Sequence, residues 1–191
     1  MNVLLIGGPG SGKGTQGQLL STRLGLRHIA TGDLLRREVS EQTPLGLEVA
    51  GYLARGELVP DQLIIDLVLP LVAQAAATVG YLLDGFPRSV EQADQVRATA
   101  AAQGARADAA IYLDAPREVL VARLLDRARI EGRVDDTADV IENRLQIFDD
   151  ETSPLVDYYR ARGLLHVIDA TGTPAAVTAN ILSALGVLKA S

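Results

Sequence analysis

Residues 7 to 15 read GGPGSGKGT, a glycine-rich stretch that holds one of the two lysines of the 191-residue chain. The stretch fits the phosphate-loop pattern G-x-x-x-x-G-K-[ST] through its second glycine, Gly12, and Lys13. It departs from the pattern at one place, because Gly14 follows the lysine and the hydroxyl arrives at Thr15. The alternative interpretation of these residues is an ordinary glycine-rich turn.

The residues on either side favour a phosphate-binding loop. The apolar run 2–7 (NVLLIG) predicts a buried strand, and 12–25 has helical spacing with Gly25 as its C-cap. Glycines let backbone N–H groups approach phosphates closely, and the helix N-terminus adds a partial positive charge. Lys13 supplies a compact point charge for the phosphates, in a place where the wider fork of an arginine would fit poorly. We therefore predict that this loop binds a nucleotide polyphosphate.

Outward from this loop, strand-like and helix-like segments alternate along the whole chain. Strands are predicted at 2–7, 26–30, 80–86, 109–114 and 164–170. Such alternation is typical of an α/β protein with a parallel sheet covered on both faces. We expect one domain over 1–191, a three-layer α/β/α fold of the P-loop NTPase type with a five-stranded parallel sheet. Pro154 lies inside the helical pattern 137–163 and predicts a bend there.

Composition narrows the function classes. The net charge of −6 and the pI of about 4.9 argue against a nucleic-acid surface, although a local arginine cluster can still bind a small anion. No apolar run is long enough to span a membrane, and the start is too short for a signal peptide, so we expect a cytoplasmic protein. Cysteine is absent, which excludes disulfides, thiol catalysis and cysteine-bound zinc. His28 and His166 lie in apolar contexts and are interpreted as structural.

Four motifs occur in order, and together they resemble the adenylate kinase family of nucleoside monophosphate kinases. They are GGPGSGKGTQ (7–16), TGDLLR (31–36), DGFPRSVEQ (84–92) and GRVDD (132–136). The resemblance runs from residue 2 to about 186. A guanine-reading GTPase would carry an N-K-x-D motif, which this chain lacks.

Two features, one inside these motifs and one outside them, also follow from the residues themselves. Asp84 ends a predicted strand, and ligands of open α/β sheets bind at the carboxyl ends of strands. Arg123 and Arg127 are four residues apart on a helix, so they share a face and repel each other unless an anion binds between them. The alternative for these arginines is a salt-bridged surface.

The resemblance implies roles for residues inside the four motifs and for several residues outside them. It implies ATP-binding by Gly8, Pro9, Gly10, Ser11, Gly12, Lys13, Gly14, Thr15, Arg123, Arg127 and Gly172. It implies AMP-binding by Thr31, Gly32, Arg36, Glu57, Val59, Gly85, Arg88, Gln92, Arg133 and Arg144, with Gln92 reading the base. Catalytic roles are implied for Lys13, Arg88, Arg123, Arg127, Arg133 and Arg144. Asp84 would hold Mg²⁺ through water, and Asp135 and Asp136 would help to close a lid.

The implied reaction is Mg-ATP + AMP ⇌ 2 ADP, with an AMP-binding flap at 31–60 and a lid at 123–136. Only ARIEG separates Arg127 from Arg133, so the lid is short and no structural zinc is expected. Expected partners are ATP and AMP or ADP, with no nucleic acid or membrane, and the expected state is a monomer. Two alternatives stay open: a UMP/CMP kinase of the same fold, and a catalytically inactive ATP-binding switch.

Overall fold

A five-stranded parallel sheet forms the centre of the molecule, whose computed structural model describes residues 1–131 and 137–187. The strand order is β2-β3-β1-β4-β5, and every neighbouring pair is parallel. The strands are β1 (Asn2–Gly7), β2 (Arg27–Ala30), β3 (Tyr81–Asp84), β4 (Ala109–Asp114) and β5 (Leu165–Asp169). The predicted α/β fold with a parallel five-stranded sheet is confirmed.

Helices connect the strands. They are α1 (Lys13–Leu24), α2 (Thr31–Ser40), α3 (Pro44–Arg55), α4 (Asp61–Ala76), α5 (Val90–Ala102), α6 (Arg117–Glu131), α7 (Ala138–Ile147), α8 (Pro154–Arg160) and α9 (Pro174–Ala184). Gly25 ends α1 in the left-handed conformation, as predicted. Thr43 caps α3 through a hydrogen bond from the backbone N–H of Gly46, and Ser89 caps α5 in the same way.

Alternate residues of each strand point to opposite faces of the sheet, and helices cover both faces. In β1, Val3 and Leu5 pack with Leu20 and Ile181, which come from α1 and α9. The intervening β1 residues pack in a second cluster with residues of α4, α5 and α8. This arrangement gives the predicted α/β/α layers.

The strand order places the glycine-rich loop at a functional position. From β1 the chain first builds the β3–β2 side of the sheet and then crosses to β4 and β5 on the other side. Ligands of open α/β sheets bind at the carboxyl edge where the direction of winding changes. Both residues 7–15, which follow β1, and Asp84, which ends β3, lie at this edge.

The long helical pattern 137–163 contains a local change of helix type before its proline. A π-helical segment, Phe148–Thr152, links α7 to α8, and the backbone N–H of Ser153 donates to the Phe148 carbonyl at 2.8 Å. Pro154 then occupies the first turn of α8, where a missing N–H costs nothing. Where the sequence predicts a bend at Pro154, the structure has a π-helical segment just before this proline.

Candidate active site

A cleft of about 860 Å³ opens at the carboxyl edge of the sheet. One part of the lining is the glycine-rich loop, and another comes from α2 and the loop that follows β3, which together are called the α2 wall. Residues of α6, α7 and the loop after β5 complete the lining. The volume is in the range of cavities that hold drug-sized or larger ligands.

The glycine-rich loop turns tightly because some of its glycines adopt positive φ angles, which residues with a Cβ rarely adopt. Gly10 has a φ of +83°, and a Cβ there would lie 2.6 Å from the carbonyl oxygen of Leu120. Gly12 precedes α1 with a φ of +94°. The first turn is closed by a hydrogen bond from the Ser11 backbone N–H to the Gly8 carbonyl at 3.1 Å. The residues that begin α1 line the cleft, and a helix N-terminus is a site where phosphates bind.

Lys13 is held against the loop that it follows. Its ammonium donates to the carbonyl oxygens of Gly7 at 2.7 Å and Gly8 at 3.0 Å. Burial lowers the pKa of Lys13 to about 8, an effect that Asp84 opposes and that Arg88 increases. A cation destabilised in this way gains from a nearby phosphate.

Asp84 is an acid that lines the cleft at the end of β3. Its side chain is 13% exposed, and burial raises the pKa of its carboxyl above the ordinary value, although Lys13 acts in the opposite direction. The Nε2 atom of His28 lies 3.9 Å from its Oδ2 atom. His28 also lines the cleft, a position that the sequence did not reveal because no motif contains it. Its ring packs against Gly17, where a Cβ would lie 2.2 Å from Nε2.

Two arginines lie on the α2 wall, one in the loop that follows β3 and one on α2. The Nε atom of Arg88 donates to the Gly85 carbonyl at 2.9 Å, and burial lowers the pKa of its guanidinium. Arg36, on α2, forms an ion pair with Asp33 and also faces the cleft. Thr31 is buried behind this wall and donates to the Asp84 carbonyl at 3.1 Å.

Helices α6 and α7 bring further arginines to the cleft. Arg123 donates from Nη2 to the carbonyl of Ala170 at 2.9 Å, which ties α6 to the loop after β5. Arg127 lies one turn further along α6, and Arg144 enters from α7. These three side chains line the same cleft as Lys13, so it concentrates positive charge in a molecule of negative net charge.

Most of the residues singled out in the sequence converge on this cleft. Those that line it are Pro9, Gly10, Ser11, Gly12, Lys13, Gly14, Thr15, Gly32, Arg36, Asp84, Gly85, Arg88, Arg123, Arg127, Arg144 and Gly172. Gly8 instead faces a neighbouring pocket of about 130 Å³. Arg133, Asp135 and Asp136 lie outside the described residues.

The remaining acceptor-side residues lie next to the cleft without lining it. Val59 is buried in the core, and Glu57 is bound by Arg55 through hydrogen bonds of 2.7 and 2.8 Å. Gln92 is 2% exposed, and its side chain contacts Asp61 and the backbone of Arg88. The sequence did not indicate that a glutamine on the first turn of a helix would be buried.

Preformed clusters of metal ligands and membrane-spanning helices are both missing from the part of the chain that the structure describes. Within residues 1–131 and 137–187, no three His, Asp or Glu side chains come together as a metal-binding group. In the same ranges, no helix combines the length and the apolarity needed to cross a membrane.

Comparisons with known proteins identify the family to which this chain belongs. A sequence model of the family described as adenylate kinase matches residues 5–164. An adenylate kinase of Mycobacteroides abscessus is 47% identical over 186 residues, which is 97% of this chain and 99% of the relative. One from Porphyromonas gingivalis is 46% identical over 91% of this chain and 89% of its own. One from Thermus thermophilus is 42% identical over 97% of each chain. This chain therefore belongs to the adenylate kinase family of phosphotransferases.

Proposed function

We propose that this protein transfers the terminal phosphoryl group of ATP to AMP and so forms two molecules of ADP. The observation that carries the proposal is that Lys13 and the glycine-rich loop line the same cleft as Arg36 and Arg88. Such a cleft accommodates two anionic nucleotides with their phosphates directed toward each other. Family membership favours AMP as acceptor over UMP or CMP.

The chemistry needs positioned charge more than it needs a base. A phosphate oxygen of AMP forms a bond to the γ-phosphorus of ATP as the bond from that phosphorus to the β–γ bridging oxygen breaks. The electron pair of the broken bond stays on the departing ADP. Negative charge spreads over the transferred group, and preorganised donors stabilise it. Lys13, Arg123, Arg127 and Arg144 would supply these donors, together with Arg133.

The acceptor nucleotide would bind on the α2 side of the cleft. Arg36 and Arg88 would hold its phosphate through charge-assisted hydrogen bonds, which are the strong ones in such sites. Gly32 and Gly85 leave room for close approach of the ligand. Gln92 would read the base, and Thr31, Glu57 and Val59 would complete the pocket around it.

The residues at the carboxyl edge of the sheet fit Mg²⁺. This ion usually keeps several waters and takes one or two protein carboxylates in addition to substrate phosphates. Asp84 is one such carboxylate, faces the cleft, and is largely removed from bulk water. It would hold the ion through water, and the ion would neutralise part of the phosphate charge.

Water has to be kept from the transferred phosphoryl group, because ATP hydrolysis would compete with transfer. We propose that residues 31–60, which contain α2 and α3, act as a flap over AMP. Residues 123–136 would act as the short lid over ATP. We also propose that the protein works as a monomer in the cytoplasm and binds neither nucleic acid nor a membrane.

A coupled assay of ADP formation tests the proposal. Mg-ATP is supplied with AMP, UMP, CMP or GMP in separate reactions, and one reaction has no acceptor. The proposal expects rapid turnover with AMP. Turnover mainly with UMP or CMP would overturn the acceptor assignment, and ADP formation without acceptor would indicate an ATPase. Binding of ATP with no transfer to any acceptor would indicate an inactive switch.

A further inference from the structure

The side-chain amide of Gln92 is held on both of its polar ends. Its Nε2 atom donates to Oδ1 of Asp61 at 2.7 Å, and its Oε1 atom accepts from the backbone N–H of Arg88 at 2.7 Å. Its backbone N–H donates to Ser89, which fixes the start of α5. With 2% of Gln92 exposed, solvent cannot easily replace either partner.

The two partners permit only one orientation of this amide. A carboxylate only accepts hydrogen bonds, and a backbone N–H only donates them. If the amide turned over, Oε1 would face the Asp61 carboxylate and Nε2 would face the Arg88 N–H. Two buried hydrogen bonds would be lost, and like partial charges would meet in their place.

The fixed amide has hydrogen-bonding capacity left for a ligand. An amide nitrogen has two N–H groups and an amide oxygen accepts two hydrogen bonds, so each end of Gln92 keeps one. A 6-aminopurine offers the matching pair, an amino donor at C6 and an acceptor at N1. A 6-oxopurine offers the reverse, an oxygen at C6 and an N–H at N1, and would need the turned amide.

We propose that Asp61 is a positioning residue that makes the acceptor site selective for 6-aminopurine monophosphates over 6-oxopurine monophosphates. The inference rests on the proposed function, in which Gln92 reads the acceptor base. Asp61 acts by fixing the direction of that amide and does not itself contact the base. It is the first residue of α4, directly after the 31–60 flap, whereas Arg88 is in the loop that lines the cleft.

The matched pair Asp61→Asn and Asp66→Asn tests this inference. Asp66 lies on the same helix and accepts a hydrogen bond from Gln62 at 2.7 Å, but this pair is exposed. The side-chain amide introduced by Asp61→Asn can present either a donor or an acceptor to Gln92, so one of the two constraints on the orientation of Gln92 disappears. Dissociation constants for AMP and for inosine monophosphate are measured by calorimetry, and kcat/KM for both is measured with Mg-ATP.

We expect Asp61→Asn to lower the preference for AMP over inosine monophosphate by roughly tenfold, the effect of one buried hydrogen bond. Asp66→Asn should leave the preference unchanged. If Asp61→Asn weakens both nucleotides equally, its role is structural and the inference is wrong. Asp61→Ser, whose hydroxyl also donates or accepts, gives the same test if Asp61→Asn does not fold.

Binding and turnover separate this inference from the proposed function. Selective binding of AMP without phosphoryl transfer would overturn the proposed reaction and leave the role of Asp61 to be read from the dissociation constants. Transfer to AMP with the same preference in all variants would support the reaction and overturn the role of Asp61. A wild-type protein that binds neither monophosphate would overturn both.

Discussion

The ammonium of Lys13 donates a 2.7 Å hydrogen bond to the carbonyl oxygen of Gly7, the last residue of the central strand β1. The lysine, which begins α1 directly after the glycine-rich loop, is thus anchored to the sheet. Charge placed before the reaction begins stabilises a transition state without a reorganisation cost. The two hydrogen bonds of Lys13 hold its point charge at the place where the phosphates of ATP would bind, which accounts for a lysine in the glycine-rich stretch.

We therefore expect Lys13→Ala to lower kcat by about 10²- to 10³-fold, the usual effect of removing one such donor. The fold should persist, since the sheet does not depend on this side chain. ADP formation measures the first effect, and circular dichroism with thermal unfolding measures the second. Lys189→Ala removes the only other lysine of the sequence and should leave turnover unchanged. Wild-type turnover in Lys13→Ala would remove Lys13 from the mechanism.

The lowered pKa of Lys13, about 8, predicts that ATP affinity depends on pH. Bound phosphate stabilises the charged amine, so the free protein must take up a proton to bind ATP once the pH exceeds 8. The dissociation constant should rise above pH 8 by up to about tenfold per pH unit and stay level below it. Calorimetry with a non-hydrolysable ATP analogue between about pH 7 and 9.5 measures this, and buffers of different ionisation enthalpy report the proton uptake.

Lys13→Ala is the control for this pH dependence, because it should bind the analogue weakly and with little change over the same pH range. An equal slope in wild type and variant would assign the titration to another group.

The same pKa has an opposite effect on folding. Because burial lowers the pKa of Lys13 below its unfolded value, the unfolded chain binds more protons between about pH 8 and 10.5. The Lys13 contribution to the free energy of unfolding therefore rises with pH over that interval.

The sequence predicts the layers of this fold well because local patterns encode them. Apolar runs of four to six residues that end in glycine or aspartate mark β1 and β3, and the cap at Gly25 marks the end of α1. The strand order β2-β3-β1-β4-β5 is not encoded in this way, since it depends on which strands pair across long sequence separations.

The candidate site is predictable where a motif is contiguous and not where the contact is distant. The phosphate loop and Arg88 of the 84–92 motif are both recognisable in the sequence. The contact between Asp61 and Gln92 joins residues that are 31 positions apart on two different helices. The identities of the two residues do not predict this contact. The sequence context of His28 favours a structural role, but its ring faces Asp84 in the cleft, because β2 pairs with β3 in a register that aligns Ala30 with Asp84.

Arg88 should act on AMP far more than on ATP, because it lies near Arg36, the other arginine of the proposed acceptor site. Removing a buried charged donor costs about 1.5 to 3 kcal/mol, so Arg88→Ala should raise the KM for AMP by roughly 10- to 100-fold. The KM for ATP should change by less than about threefold. Initial rates with each nucleotide varied in turn give both values.

Arg97→Ala is the matched control, since Arg97 lies on α5, is largely exposed and only approaches Asp94 at 3.8 Å. Exposed pairs of this kind contribute little, so both KM values should remain those of the wild type. Equal losses for AMP and ATP in Arg88→Ala would place this arginine between the two nucleotides and not in the acceptor site.

The packing of α2 against α3 depends on Gly46. A Cβ at this position would lie 2.0 Å from the carbonyl oxygen of Glu38, a backbone atom that can move only if the two helices separate. Gly46→Ala should therefore lower the free energy of unfolding by about 1 to 3 kcal/mol, the usual cost of overpacking. It should also raise the KM for AMP, because α2 carries Arg36. Urea unfolding and initial rates measure the two effects.

Gly51→Ala on the same helix separates this packing effect from the loss of a glycine as such. A Cβ at Gly51 would meet only the guanidinium of Arg55, at 3.1 Å, and that side chain is exposed and can turn away. Alanine is the better helix former, so Gly51→Ala should raise the free energy of unfolding by up to about 1 kcal/mol. If both variants unfold at the same urea concentration, the close approach of α2 and α3 at Gly46 does not limit stability. A loss of stability in Gly46→Ala without a change in KM for AMP would mean that this packing supports the fold but does not position Arg36.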